Sequence, residues 1–459
     1  MSLDAAGVKT STRSHAAGVD VVCRKPASSE QAAGRLGVLQ QTVVKPKTDS
    51  SRWRAISTTL DYVMSSISNG LIVLAVARVA SVDTFGAAAL LVTISAAALG
   101  VGRGAVGTPI MLAAGSGPAE LRREAGFAST AMLVFGLAFS CVAVVASCLL
   151  GTPGLGAAFA LAIPLAVVAD VFRYALISAS KPHLALTWDA LWALGSGTLF
   201  VITLFWRHTL TAVTILFCWA LLAGISALGL AMSYRQTPYF RGIASWWRTM
   251  YRSRLRYGIE GSLGQVNDLI VTSIATALIG TSAAAAIRGA ALILTPFALL
   301  LGALPLVLIP EAVRGGASAT ELWSKLCRIG FVSSLSIVAI GSALWFLPAR
   351  VGQLILGDSW DFARDVLPII SINYFAVTWG IVAMTHLRFQ GKSGQLLAGT
   401  VAYCLTSSVL CTAMALMTRT AMGIAVGLTV SAVAVAIGLV LHVHLAHLAR
   451  LRLEGRSRG

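Results

Sequence analysis

Beyond residue 55 the chain alternates between long apolar stretches and short polar breaks. A membrane-crossing helix needs roughly 20 mostly apolar residues. Twelve stretches meet that length, near 58–81, 86–106, 128–150, 156–180, 184–206, 210–232, 259–280, 284–310, 329–348, 366–387, 394–417 and 420–446. Pro164, Pro296 and Pro305 fall inside them and predict kinks. No ten-residue alternation of apolar and polar positions occurs, which excludes a membrane β-barrel. The pattern predicts an all-α integral membrane protein of about 12 transmembrane helices. Residues 1–55 hold no sustained apolar run and predict a flexible tail without a signal peptide.

Composition sharpens this picture. Hydrophobic residues make up 57% of the 459 and charged residues only 12%, whereas a soluble domain carries about 25% charge. That excludes a cytosolic enzyme, a secreted disulfide scaffold and a disordered chain. The net charge of +17 would suggest nucleic acid in a soluble protein. With both termini placed in the cytoplasm, however, 27 basic residues fall on inner segments and 4 on outer loops. This is the positive-inside bias of a multi-pass protein of the plasma (inner) membrane, and it requires no nucleic-acid partner. Arg outnumbers Lys 28 to 7, which suggests a GC-rich, bacterial genome.

Soluble chemistry has little room. The longest outer loop, near 349–365, is about seventeen residues, and the longest inner one is 233–258. The seven cysteines form no C-x-x-C pair, and His442, His444 and His447 lack a carboxylate or Cys to complete a metal site. Neither a cofactor nor an enzymatic activity is expected.

The two halves repeat. Asn69-Gly-Leu-Ile-Val73 in the first stretch matches Asn267-Asp-Leu-Ile-Val271 in the seventh, at an offset of 198. Pro109 precedes Glu120-Leu121 as Pro310 precedes Glu321-Leu322, at an offset of 201. Six helices per repeat is an even number, so both halves face the same way about a pseudo-two-fold axis along the membrane normal. The expected organisation is a tail (1–55), a six-helix bundle (56–233), a linker (234–258), a second bundle (259–447) and a basic tail (448–459). In the linker, Trp246, Trp247, Tyr251 and neighbouring aromatics interleave with six arginines from Arg235 to Arg256. That pattern suits a helix lying in the headgroup layer, with anionic lipid as a partner, or a simple topological anchor.

Ionisable residues inside spans are the functional suspects. Nine occur besides histidine: Asp61, Arg78, Arg103, Asp170, Arg173, Asp189, Glu260, Asp268 and Arg288. Asp170 and Arg173 share a helix face. They form either a local ion pair or a substrate site in which Arg173 turns its fork to a phosphate, with Asp170 as resting partner. Arg103 and Asp189 extend that network or snorkel to the inner interface. Asp268, beside Asn267, lies nearest the membrane centre. It either couples the cycle to protons or Na⁺ or is a structural carboxylate paired with an Arg or a hydroxyl.

The stretch LDYVMSSISNGLIVLAVARVASVDTFG from Leu60, followed by an apolar run ending GVGRGAVGTPIML at Leu112, resembles the start of polysaccharide flippases. These belong to the multidrug/oligosaccharidyl-lipid/polysaccharide exporter superfamily. Asp170-Val-Phe-Arg173-Tyr174, Lys181-Pro182-His183 and Asp189-Ala-Leu-Trp192 are similar to the fourth and fifth helices of such proteins. The resemblance implies two six-helix bundles in a V, alternating access, and a cationic cavity for a lipid-linked saccharide diphosphate. It further implies a role in cell-envelope glycan export, with polymerase or glycosyltransferase partners. The chain departs from it in having few mid-span Arg or Lys, and none in the last four spans. A multidrug or cation exporter of the same superfamily is the alternative, and it would use carboxylates such as Asp268 and Asp61. A major-facilitator carrier is disfavoured because GTPIMLAAGSGPAELRREAG lacks the charged motif expected after the second span. A membrane glycosyltransferase would need larger outer loops, and a non-transporting scaffold stays open.

Overall fold

The computed structural model describes residues 48–113, 117–206, 210–314 and 317–456. Most of the N-terminal tail and the last three residues lie outside them. Among the described residues, helices are the only regular structure. The first half holds α1 (Thr48–Val79), α2 (Val82–Leu112), α3 (Pro118–Leu149), α4 (Pro153–Ser178), α5 (Pro182–Phe205) and α6 (Ala212–Tyr234). The second holds α7 (Ile243–Leu278), α8 (Thr281–Ile293, resuming as Thr295–Arg314), α9 (Ala319–Trp345), α10 (Trp360–Phe389), α11 (Ser393–Thr418) and α12 (Ala421–Arg456). A short helix, Ala349–Leu356, precedes α10.

Local chemistry sets the ends. Pro118, Pro153 and Pro182 each open a helix, where a missing N–H goes unnoticed. Ser81 caps α2, and Ser318 forms a reciprocal capping box with Glu321 at α9. Arg235 and Arg419 close α6 and α11 in the left-handed conformation.

Among the described residues, ten helices are long and apolar enough to cross a membrane by length and composition. The two others are α7 and α8. α7 carries Glu260, Gln265, Asn267 and Asp268, and α8 breaks at Leu294, two residues ahead of Pro296, where a kink is expected. Together the twelve form two six-helix repeats, visible in the packing. α3 lies on α4, α4 on α6, α5 on α6 and α2 on α4. Their counterparts repeat each pairing: α9 on α10, α10 on α12, α11 on α12 and α8 on α10. Glu120 and Glu321 both stand in the first turn of the third helix of their half. Each fourth helix carries an internal proline, Pro164 or Pro368.

Consecutive helices reverse direction, so α1 begins and α12 finishes at one end, here termed the basic end. The halves meet through α2, which packs along both α7 and α8. Close approach is possible because small residues line the seam. A Cβ on Gly104 would lie 2.0 Å from the Tyr257 carbonyl oxygen, and Gly261 faces Gly104 in turn. At the opposite end, Thr281 donates to Asp83 at 2.6 Å, and Gly357 sits against the Arg78 carbonyl.

Part of the linker is turned inward. Only a short turn separates α6 from Ile243, where α7 already begins, and its first part bends at Met250. Trp246 and Arg254 turn inward onto Glu124 of α3, at 2.7 and 2.5 Å. The Arg254 guanidinium stacks 3.8 Å over the Trp246 ring and is almost fully buried. These two residues therefore pin α7 to the first half and are not offered to lipid. Arg241, Arg248, Arg252 and Arg256 stay exposed.

Candidate functional site

The charged residues of the first half converge where α1, α2, α4 and α5 approach the basic end. Asp170 and Arg173 lie one turn apart on α4, beyond Pro164. Arg173 Nη2 meets Asp170 Oδ1 at 2.6 Å, and Nη1 meets Asp189 Oδ2 of α5 at 3.4 Å. Its Nε lies 3.9 Å from Asp61 Oδ2 of α1. Arg103 approaches from α2, where residues Arg103–Gly107 form a π-turn. The wider turn re-aims the side chain, and Arg103 Nε donates to Asp170 Oδ2 at 2.9 Å.

Three carboxylates thus surround two guanidiniums. Arg173, Asp61, Asp170 and Asp189 are all buried, whereas the Arg103 side chain is 30% exposed. Every nitrogen of the Arg173 guanidinium has a carboxylate within 4 Å, although Nε makes no hydrogen bond among the described residues. Asp61 Oδ1 is buried without a hydrogen-bond partner among the described residues. Beside the cluster is a cavity of about 10 Å³, lined by Ser65, Asn69, Arg103, Asp170, Arg173 and Asp189 among others. That is room for roughly one water-sized species.

The expected ion-coupling pair sits elsewhere. Asn267 is buried on α7 and accepts from Ser407 of α11 at 2.5 Å. Ser68 and Ser196 join α1 to α5 at the corresponding level of the first half, 3.0 Å apart. Asp268 is not the secluded carboxylate its mid-span position suggests. Its side chain is 56% exposed and accepts from Arg288 Nη1 of α8 at 3.1 Å. Asp268 is thus paired with an arginine of the next helix. No ion pair or hydrogen bond joins this pair to the first-half cluster among the described residues.

Arg103, Asp170, Arg173 and Asp189 are therefore brought together, while Asn267 and Asp268 form a separate group. Sequence reasoning flagged Asp61 as a suspect and as a carboxylate a cation exporter would use, but nothing in its spacing linked it to α4. Ser65 and Asn69, one and two turns on from Asp61, mark the same α1 face, which helical periodicity could have exposed. Among the described residues, no group of three or more His, Cys, Asp or Glu is arranged to hold a metal ion.

No family model matches the sequence, and no curated protein does. Solved structures match the fold. An inward-facing multidrug-resistance MATE-family transporter of the MOP superfamily aligns over 86% of this chain and 98% of its own, with 16% identity and a TM-score of 0.62. An outward-facing MATE-family transporter covers 88% and 97%, with 17% identity and a TM-score of 0.56. A MOP-superfamily transporter from Pyrococcus furiosus Vc1, described as having a binding pocket of reversed polarity, covers 85% and 94%, with 16% identity and a TM-score of 0.52. At these identities the likeness shows a shared fold.

Proposed function

We propose that this chain is a cation-coupled membrane transporter of the MOP superfamily, working by alternating access and exporting a neutral or cationic apolar substrate. Its basic end faces the cytoplasm, in line with the distribution of Lys and Arg. One observation carries the reading: the buried first-half cluster holds three carboxylates against two guanidiniums. An excess carboxylate out of water is a seat for a proton or Na⁺, because a buried charge needs a partner. The same count argues against a polyanionic diphosphate there. Asp61 is the coupling residue on this reading, since its Oδ1 lacks a partner and its nearest cation is 3.9 Å away. Asp170 and Asp189 hold Arg173 in place.

The second reading, flipping of a lipid-linked saccharide diphosphate, rests on Arg103. Its Nε is taken by Asp170, while its terminal nitrogens make no hydrogen bond among the described residues. Proteoliposome transport separates the two. Efflux of an organic cation such as ethidium should respond to an imposed proton or Na⁺ gradient. Asp61→Asn should abolish that response, and Asp268→Asn should preserve it. Gradient-independent flipping of a fluorescent lipid-linked diphosphate, lost in Arg103→Gln and intact in Asp61→Asn, would overturn the exporter reading.

A further inference from the structure

A second polar cavity lies at the basic end of the first half, apart from the charged cluster. It measures about 360 Å³ and is walled by three elements. The first turn of α3 contributes Gly117, Pro118, Leu121 and Arg122. The tight connection from α4 to α5 contributes Ser178 to Lys181, and the end of α6 contributes Tyr234. Among the described residues, no carboxylate lines it.

Two of its hydroxyl donors have no hydrogen-bond acceptor among the described residues. Tyr234 is buried, and its hydroxyl makes no hydrogen bond among the described residues. Ser178 Oγ is shielded from solvent and likewise lacks a partner. α3 begins without a side-chain cap, so its first free N–H groups and the positive end of its dipole lie at this wall. Ser180, in the left-handed conformation, turns the chain between α4 and α5, and Lys181 after it lines the same cavity as Arg122. Two cations, two unsatisfied hydroxyls and a helix N-terminus around one open volume have the chemistry of an anion site.

We propose that this cavity binds a phosphate group, with Arg122 and Lys181 supplying charge and Tyr234 and Ser178 supplying donors. The phosphate comes either from an anionic lipid headgroup at the membrane surface or from a free phosphate in the aqueous phase. The inference does not depend on what the protein transports.

Calorimetric titration of the full-length protein in phosphatidylcholine nanodiscs tests it, with soluble dihexanoyl-phosphatidylglycerol and inorganic pyrophosphate as probes. At least one probe should saturate a single site. Binding of the lipid alone identifies a headgroup site, and equal binding of pyrophosphate identifies a site for free phosphate. Arg122→Ala with Lys181→Ala removes two exposed side chains, so the helical fold should persist by circular dichroism. It should weaken binding roughly ten- to a hundredfold, the range for losing charge-assisted contacts. Tyr234→Phe should weaken it less. Arg248→Ala with Arg252→Ala removes equal charge from the same end and should leave binding unchanged. Absence of saturable binding by either probe, or equal weakening by the two double variants, overturns the proposal.

Discussion

Arg78, at the last turn of α1, donates through Nη1 to the backbone carbonyl of Leu354 in the short helix that precedes α10. The same guanidinium donates to Thr203 O at 2.7 Å and to Leu204 O at 3.2 Å at the end of α5. One buried side chain therefore ties two helices of the first half to the second half, at the end remote from the termini. With the Asp83–Thr281 hydrogen bond beside it, that end is held closed.

Arg78→Gln should loosen the closure. Losing a charge-assisted contact costs about 1.5–3 kcal/mol, enough to shift a two-state population roughly ten- to a hundredfold. Gly70, farther down α1, has open space around its Cα. A Gly70→Cys probe in an otherwise cysteine-free protein should label faster with an impermeant maleimide from the remote side when Arg78 is changed. Unchanged labelling would show that Arg78 does not control access.

Arg173 is the hub of the first-half cluster, and its loss strands three carboxylates. Arg173→Gln should destabilise the protein by about 3–5 kcal/mol, the range for breaking a buried ion pair. Arg173→Lys keeps the charge but loses the fork that reaches Asp170 and Asp189 together, so it should recover only part of that loss. Asp170→Asn combined with Arg173→Gln should be milder than Arg173→Gln alone. Thermal unfolding in detergent reads all three, and a double variant worse than the single one would contradict the hub role.

Glu124 receives both Trp246 and the buried Arg254. Glu124→Ala should therefore destabilise by about 3–5 kcal/mol, because Arg254 is left buried without its anion. Adding Arg254→Leu should restore part of the loss, since an apolar side chain needs no partner. A double-mutant cycle on unfolding midpoints measures the coupling, and a cycle that closes at zero would show that the contact contributes nothing.

Gly104 sits in the π-turn against the backbone of α7. Gly104→Ala should push α2 away from Tyr257 and cost about 1–3 kcal/mol, as overpacking does. Gly264→Ala, with open space around its Cα, should be neutral or slightly stabilising. Comparing the two variants by thermal unfolding separates the seam between halves from ordinary helix propensity.

Much of the architecture was legible in the chain itself. Apolar length is a one-dimensional property, so the helices and their breaks follow from it, with prolines and caps marking the ends. The repeat was legible for a similar reason: Asn69 and Asn267, or Glu120 and Glu321, hold equivalent helix positions. The linker was legible only in part, because nothing in the spacing of Trp246 and Arg254 pointed to Glu124. Only the nearby start of α3 supplies Glu124 to draw them inward.

The charged residues divide in the same way. Sequence determined which side chains are costly to bury, and helical spacing alone paired Asp170 with Arg173. Tertiary structure decided the rest. Asp61 and Arg173 are 112 positions apart in the chain, and only the packing of α1 beside α4 and α5 brings them together. Asp268 has the central position expected of a coupling residue, and only the folded structure supplies its ion-pair partner, Arg288 of the next helix. A charge's role depends on its partners and its distance from water. Both are set by which helices pack together, a long-range property that local spacing does not encode.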